Sequence, residues 1–135
     1  QEVVAFPMPA LGSAPARKAI TSATRTKIGG REAVKAAVLD DTGVTYAAGG
    51  WGLRQQAANT SRSKSLRNED RETIVDLQVR GERIYAVDHS GGLLITTLEG
   101  KTVSRTEIPD WLHALALTPT HAVVVGQKGL FVAKP

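Results

Sequence analysis

The chain has 135 residues, 41% hydrophobic and 22% charged, the proportions of one globular domain rather than of a disordered chain. Apolar runs such as Ala122–Val125 fall far short of the roughly 20 residues a membrane-spanning helix needs. With no cysteine at all, disulfides, Cys-based zinc sites and thiol catalysis are excluded. The net charge is +4, and the excess sits in the first half. Residues 1–71 carry 11 basic against 6 acidic side chains, and residues 72–135 carry 6 against 7. Such asymmetry marks a surface for an acidic partner or, as the plainer reading, a solvated basic face.

Residues 1–16 hold Pro7, Pro9, Gly12 and Pro15, a density that forbids a regular helix and predicts an extended arm. The chain opens on Gln1 rather than Met. That start reads as a processed or trimmed terminus, an expectation that leaves export with a removed signal peptide open, and the compartment with it. From Arg17 to Ile28 the sequence is rich in Thr and Ser, fits a half-buried strand imperfectly, and stops at Gly29-Gly30.

Three similar stretches follow: Val34–Leu53, Ile74–Leu93 and Leu112–Leu130. Each has an alternating apolar run, a turn, a second run, a Gly-bearing turn and a Leu entering a third run. A period near forty residues is the signature of blade or array architectures. In the second repeat, Val75, Leu77 and Val79 alternate with Asp76, Gln78 and Arg80, and strands follow at Ile84–Val87, Leu93–Thr96 and Thr102–Ile108. The first repeat takes Leu53–Ala57 as third strand and Lys64–Asn68 as a poorer fourth. The last stops after Gly129–Ala133, without a fourth. Helical propensity in Glu32–Leu39 and the ambiguous Trp111–Leu117 are overruled by this alignment. Gly52, Gly92 and Gly129 precede the third strands and are expected in backbone conformations that suit glycine.

Four short successive strands per unit make a propeller blade. The fold expected is all-β, three four-stranded β-propeller blades over residues 17–135. That is half of a six-bladed ring completed by a second chain, itself or a companion, or a fragment of a longer propeller. In the two-fold arrangement, Arg17–Ile28 of one chain pairs with Gly129–Ala133 of the other, covering edges that would invite aggregation.

The repeated core Tyr46–Leu53, Tyr85–Leu93 and Val123–Leu130 resembles the aromatic-Ala-Val-Gly-x-x-Gly-x-Ile segment of the photosystem II assembly and stability factor family. That family is similar in turn to sialidase-type Asp-box repeats, and Thr97–Val103 resembles a degraded Asp-box turn. The resemblance implies a propeller, and members include assembly chaperones, glycan-processing enzymes and secreted binding proteins. The family has seven blades where this chain repeats three times, and no functional residue is carried over.

Chemistry is sparse. Asp88-His89-Ser90 are consecutive turn residues and cannot form the relay a catalytic triad requires. His113 aligns with Lys35 and Val75 inside a first strand and reads as structural; His121 reads as solvated, and three unclustered histidines argue against zinc. Asp40-Asp41-Thr42-Gly43 lacks the rest of a calcium loop and reads as a hairpin turn. Tyr46 and Tyr85 sit at core positions rather than as sialidase nucleophiles. Arg62, Lys64, Arg67 and Arg71 are interrupted by Glu69 and Asp70 and read as an exposed outer strand, against nucleic-acid binding.

What remains is a face. Turns between second and third strands and the loops between blades emerge on one side, displaying Trp51, His89, Gln127, Lys128, Asp110 and Trp111, with Arg71 nearby. Trp beside polar groups serves protein or sugar recognition, with Trp51 the preferred anchor and Trp111 weighed against packing between blades. The sequence therefore reads as a non-catalytic binding or assembly module for a protein or glycan, with no catalytic residue, metal, cofactor or membrane span. The alternative is a glycan-cleaving or lyase-type enzyme with a site across a subunit interface.

Overall fold

A computed structural model describes residues 2–5, 24–27, 34–50, 52–58, 60, 63–67 and 73–134. Those residues form β1 (Glu2–Ala5), β2 (Thr24–Lys27), β3 (Val34–Leu39), β4 (Thr45–Gly49), β5 (Gly52–Gln56), β6 (Lys64–Arg67) and β7 (Ile74–Arg80). They continue as β8 (Arg83–Asp88), β9 (Gly92–Thr97), β10 (Thr102–Glu107), β11 (Leu112–Leu117), β12 (Ala122–Gly126) and β13 (Leu130–Ala133). No helix occurs among them. The segments with helical propensity, Glu32–Leu39 and Trp111–Leu117, contain strands β3 and β11, as the repeat alignment requires.

Three antiparallel meanders follow one another: β3-β4-β5-β6, β7-β8-β9-β10 and β11-β12-β13. Their registers are superimposable. Val34 faces Gly49, Ile74 faces Asp88 and Leu112 faces Gly126. In each ladder the next residue, Lys35, Val75 or His113, is bulged, and pairing resumes at Ala36–Ala48, Asp76–Val87 and Ala114–Val125. Second and third strands match as well: Ala48 faces Leu53, Val87 faces Leu93, and Val125 faces Leu130. A shared bulge fixes register and twist identically in each unit.

First strands lie side by side, β3 against β7 and β7 against β11. Tyr46, Ala48 and Leu53 of the first meander thereby meet Ile74, Leu77, Ile84, Ala86 and Leu94 of the second. Val87 and Leu93 of the second meet Leu112, Leu115, Ala122 and Val124 of the third. Both faces of the middle sheet are covered, so β9 reads as an unbroken apolar run at Leu93-Leu94-Ile95. Each fully buried Leu or Ile there contributes about 1.5–3 kcal/mol of burial free energy. Tyr46 packs in the core as expected, and Gln55 Nε2 donates to its hydroxyl at 3.2 Å.

Polar ties reinforce the apolar contacts. Asp76 Oδ2 accepts the Leu115 amide at 2.8 Å, and Arg80 Nη1 donates to the Thr118 carbonyl at 2.6 Å. At the outer rim Arg67 Nη1 donates to Thr102 Oγ1 at 2.7 Å. Strand β10 is exposed throughout, and its sequence Thr-Val-Ser-Arg-Thr-Glu is the polar, charged dress that keeps an edge strand from pairing elsewhere.

One expectation is corrected. Gly52 and Gly129 do take left-handed φ values of 86° and 154°, but in the middle repeat the left-handed residue is Gly91, at 128°, and not Gly92. The second turn spans three residues between Asp88 and Gly92, where the first spans two between Gly49 and Gly52; the extra residue moves the turn's constraint back by one. The amino-terminal strand has a partner within the chain that the sequence did not suggest. Of Arg17–Ile28 the described part is β2, and it pairs with β1, with Glu2 opposite Lys27 and Ala5 opposite Thr24. The expected arm thus begins with a strand, and β1 lies against β3. Residues 6–23 lie outside the described residues.

Candidate functional site

The turns 89–91 and 127–128 and the loop 108–111 come together at one end of the second and third meanders. Asp88, 1% exposed, organises the first turn. Its Oδ1 accepts the Ser90 amide at 3.1 Å and the Thr73 amide at 3.4 Å, and its Oδ2 pairs with Arg105 Nη2 at 3.2 Å. The Arg105 guanidinium, bonded chiefly by Glu107, is held above its usual range; partial burial opposes this and Asp88 adds to it. The His89 amide donates to Thr73 O at 2.9 Å and its carbonyl accepts Leu112 N at 3.0 Å. His89 Nδ1 lies 2.9 Å from the Leu112 carbonyl oxygen; a carbonyl only accepts, so the ring proton is on Nδ1.

Asp110, 8% exposed, organises the second loop. Oδ1 accepts the Trp111 amide at 2.8 Å and Oδ2 the Lys128 amide at 2.7 Å. The Trp111 carbonyl accepts the Gln127 amide at 2.9 Å. The Trp111 backbone is therefore pinned on both sides while its side chain stays 52% exposed. Its ring centroid is 5.1 Å from that of His89, tilted by 37°, and His113 lies 5.6 Å from His89. Trp111 and Gln127 form a ridge between two depressions. One, of about 560 Å³, is bordered further by Ser90, Pro109 and Lys128; the other, of about 450 Å³, by His89 and His113.

Of the residues singled out in the sequence, His89, Asp110, Trp111, Gln127 and Lys128 are brought together here. Trp51 and Arg71 lie outside the described residues. Asp110 serves as the loop's internal brace, since both its oxygens are taken by backbone amides. Trp111 does not pack between sheets: its side chain is half-exposed and lies beside the His89 ring. His113, read as structural, is instead exposed beside His89. It occupies the place in β11 that Val75 holds in β7; Val75 packs against the core between the second and third meanders, whereas no described sheet lies beyond the third. The alignment with Lys35 and Val75 was visible in the sequence; the bulge was not. The histidines are accordingly less scattered than expected, but no group of three or more His, Asp or Glu side chains among the described residues could hold a metal. No helix among the described residues is long and apolar enough to cross a membrane.

No family model matches the chain, and no curated protein does. Solved structures do. The computationally designed Ika8 protein superposes with a TM-score of 0.65 at 14% identity, over 86% of this chain and 38% of that one. The computationally designed Ika4 protein gives 0.50 at 11% identity, over 81% of this chain and 96% of that one. The likeness is one of fold. This chain spans only 38% of the length of the Ika8 chain.

Proposed function

We propose that the meanders are β-propeller blades of the kind their sequence resembles, that of the photosystem II assembly and stability factors and Asp-box repeats. In this reading a second chain completes the ring, and the loop face is a non-catalytic binding surface for a protein or glycan. Supporting the blade reading are the shared register, the shared bulge and the first strands aligned side by side. Supporting the binding reading is one observation above the rest: a half-exposed Trp111 whose backbone is fixed from both sides, between two open depressions. A pre-positioned aromatic loses little entropy on binding.

Of the two ligand classes, the geometry favours a saccharide. The indole offers a flat apolar surface for a sugar ring, and Gln127, Lys128, Ser90 and the two imidazoles ring it with hydrogen-bonding groups. Against the enzyme alternative, Asp88 and Asp110 are both buried, with their oxygens bonded to amides or to Arg105. Neither is placed to donate or take a proton from a sugar. The test is an array of immobilised neutral and acidic oligosaccharides, probed with the intact chain and with Trp111→Ala. Retention lost at least tenfold in the variant, with an unchanged melting temperature, is expected. Retention indifferent to Trp111→Ala, or absent from every saccharide, refutes the reading.

A further inference from the structure

We infer that the outward face of the third meander is a docking surface for a second copy of this chain, which it meets head to tail. The inference rests on the blade reading above and names the surface through which the second chain joins. Register equivalence carries it. Tyr46, Ala48 and Leu53 lie in the interface between the first and second meanders, and their equivalents Tyr85, Val87 and Leu93 lie in that between the second and third. The next set, matched by the same ladder positions, is Val123, Val125 and Leu130, with Val132 opposite Val123. Here no further sheet among the described residues covers them: Val125 is 39%, Leu130 70% and Val132 66% exposed. Three of the six large apolar side chains exposed among the described residues therefore lie on this one face. An apolar face repeated from two buried interfaces is shaped for a third interface of the same kind.

The edge beside it says the same. Among the described residues strand β13 pairs with β12 alone, whereas the third strands β5 and β9 each have a fourth-strand partner. Such an open edge is a template for another chain. The orientation follows from the interfaces already present, which join unlike faces. The Tyr85 side of one sheet meets the Leu115, Ala122 and Val124 side of the next. A self-facing dimer would place like on like, which neither interface does. At the opposite end of the row β1 touches β3, and the β1–β2 sheet is the end that receives the neighbour. Two such contacts related by a two-fold axis close the assembly without leaving a free end.

Light scattering and native mass spectrometry of the intact chain at micromolar concentration are expected to give twice the chain mass. The double variant Leu130→Glu, Val132→Lys is expected to give the single mass with the same circular dichroism spectrum, since both side chains are already exposed. A single mass for the unaltered chain overturns the inference, as does a dimer indifferent to the double variant. Because the chain has no cysteine, Leu130→Cys supplies a sole thiol. Ready formation of a disulfide between two copies would place like faces together and overturn the head-to-tail arrangement. A single mass accompanied by equal hydrogen-exchange protection of β3, β7 and β11 would remove the docking surface while leaving the blades in place.

Discussion

Replacing Asp110 by Ala removes one carboxylate that accepts two backbone amides, those of Trp111 and Lys128. A donor left unsatisfied away from water costs about 1–3 kcal/mol. Both amides are only partly buried, so the lower half of that range applies to each, and the pair amounts to about 2–4 kcal/mol. That is a large share of the roughly 5–15 kcal/mol that holds a domain folded. At about 3–5 °C per kcal/mol for a chain of this size, the melting temperature should drop by roughly 10 °C. The neighbouring Gly126 provides an internal check. A Cβ there would overlap Asp110 Oδ2, with Phe131 Cε2 only 3.2 Å away. Gly126→Ala should therefore be costly in the natural background and cheaper once Asp110 is Ala. The double-mutant cycle should close with a coupling of about 1 kcal/mol or more. Urea unfolding followed by far-ultraviolet circular dichroism measures all four corners. A loss below about 0.5 kcal/mol for Asp110→Ala, or strict additivity in the cycle, would refute the view of Asp110 as the brace of the site.

Other expectations are simpler. Gly91→Ala should destabilise by at least about 2 kcal/mol, because φ is 128° and a Cβ would stand 2.5 Å from the Ile108 carbonyl oxygen, a backbone atom; thermal unfolding checks it. Asp40 lies at the first hairpin. Slight burial pushes its carboxyl up, but hydrogen bonds from the Thr42 hydroxyl and the amides of Val44, Thr42 and Gly43 together outweigh it and hold the group below its ordinary 3.8. Its stabilising contribution is therefore complete above that ordinary value and lost as pH falls through the lower folded one. The stability difference between the natural chain and Asp40→Asn should shrink across that acid window, and urea midpoints measured over a pH series should show it.

Much of the fold was legible because the repeat is written in side chains whose spacing is local. The alternation Val75, Leu77, Val79, the Gly-bearing turns and the Leu opening each third strand recur at fixed offsets, and strands β3 to β13 fall on them. The alignment also outweighed the helical propensity of Glu32–Leu39. Features that depend on hydrogen-bond register were not legible. The bulges at Lys35, Val75 and His113 are one such feature, and no pattern of residue types announces them. The three-residue turn after Asp88 shifted the left-handed glycine by one position. The pairing of β2 with β1 joins segments 18 residues apart with no periodic signal between them. In the site, Trp111, Gln127 and Lys128 could be gathered by counting turns onto one side. That Asp110 would spend both oxygens holding them in place could not, because it follows from geometry between loops distant in sequence.

Trp111 and its neighbours are the proposed binding surface. Titrating isotope-labelled protein with a neutral and then an acidic oligosaccharide, while following amide and indole resonances, tests it most directly. The Trp111 indole N–H and the Gln127 side-chain amide are expected to shift progressively and saturably while the buried amides of Ile84 and Val124 stay still. Resonances of Trp111 that do not move at millimolar saccharide, or shifts confined to another surface, would contradict it.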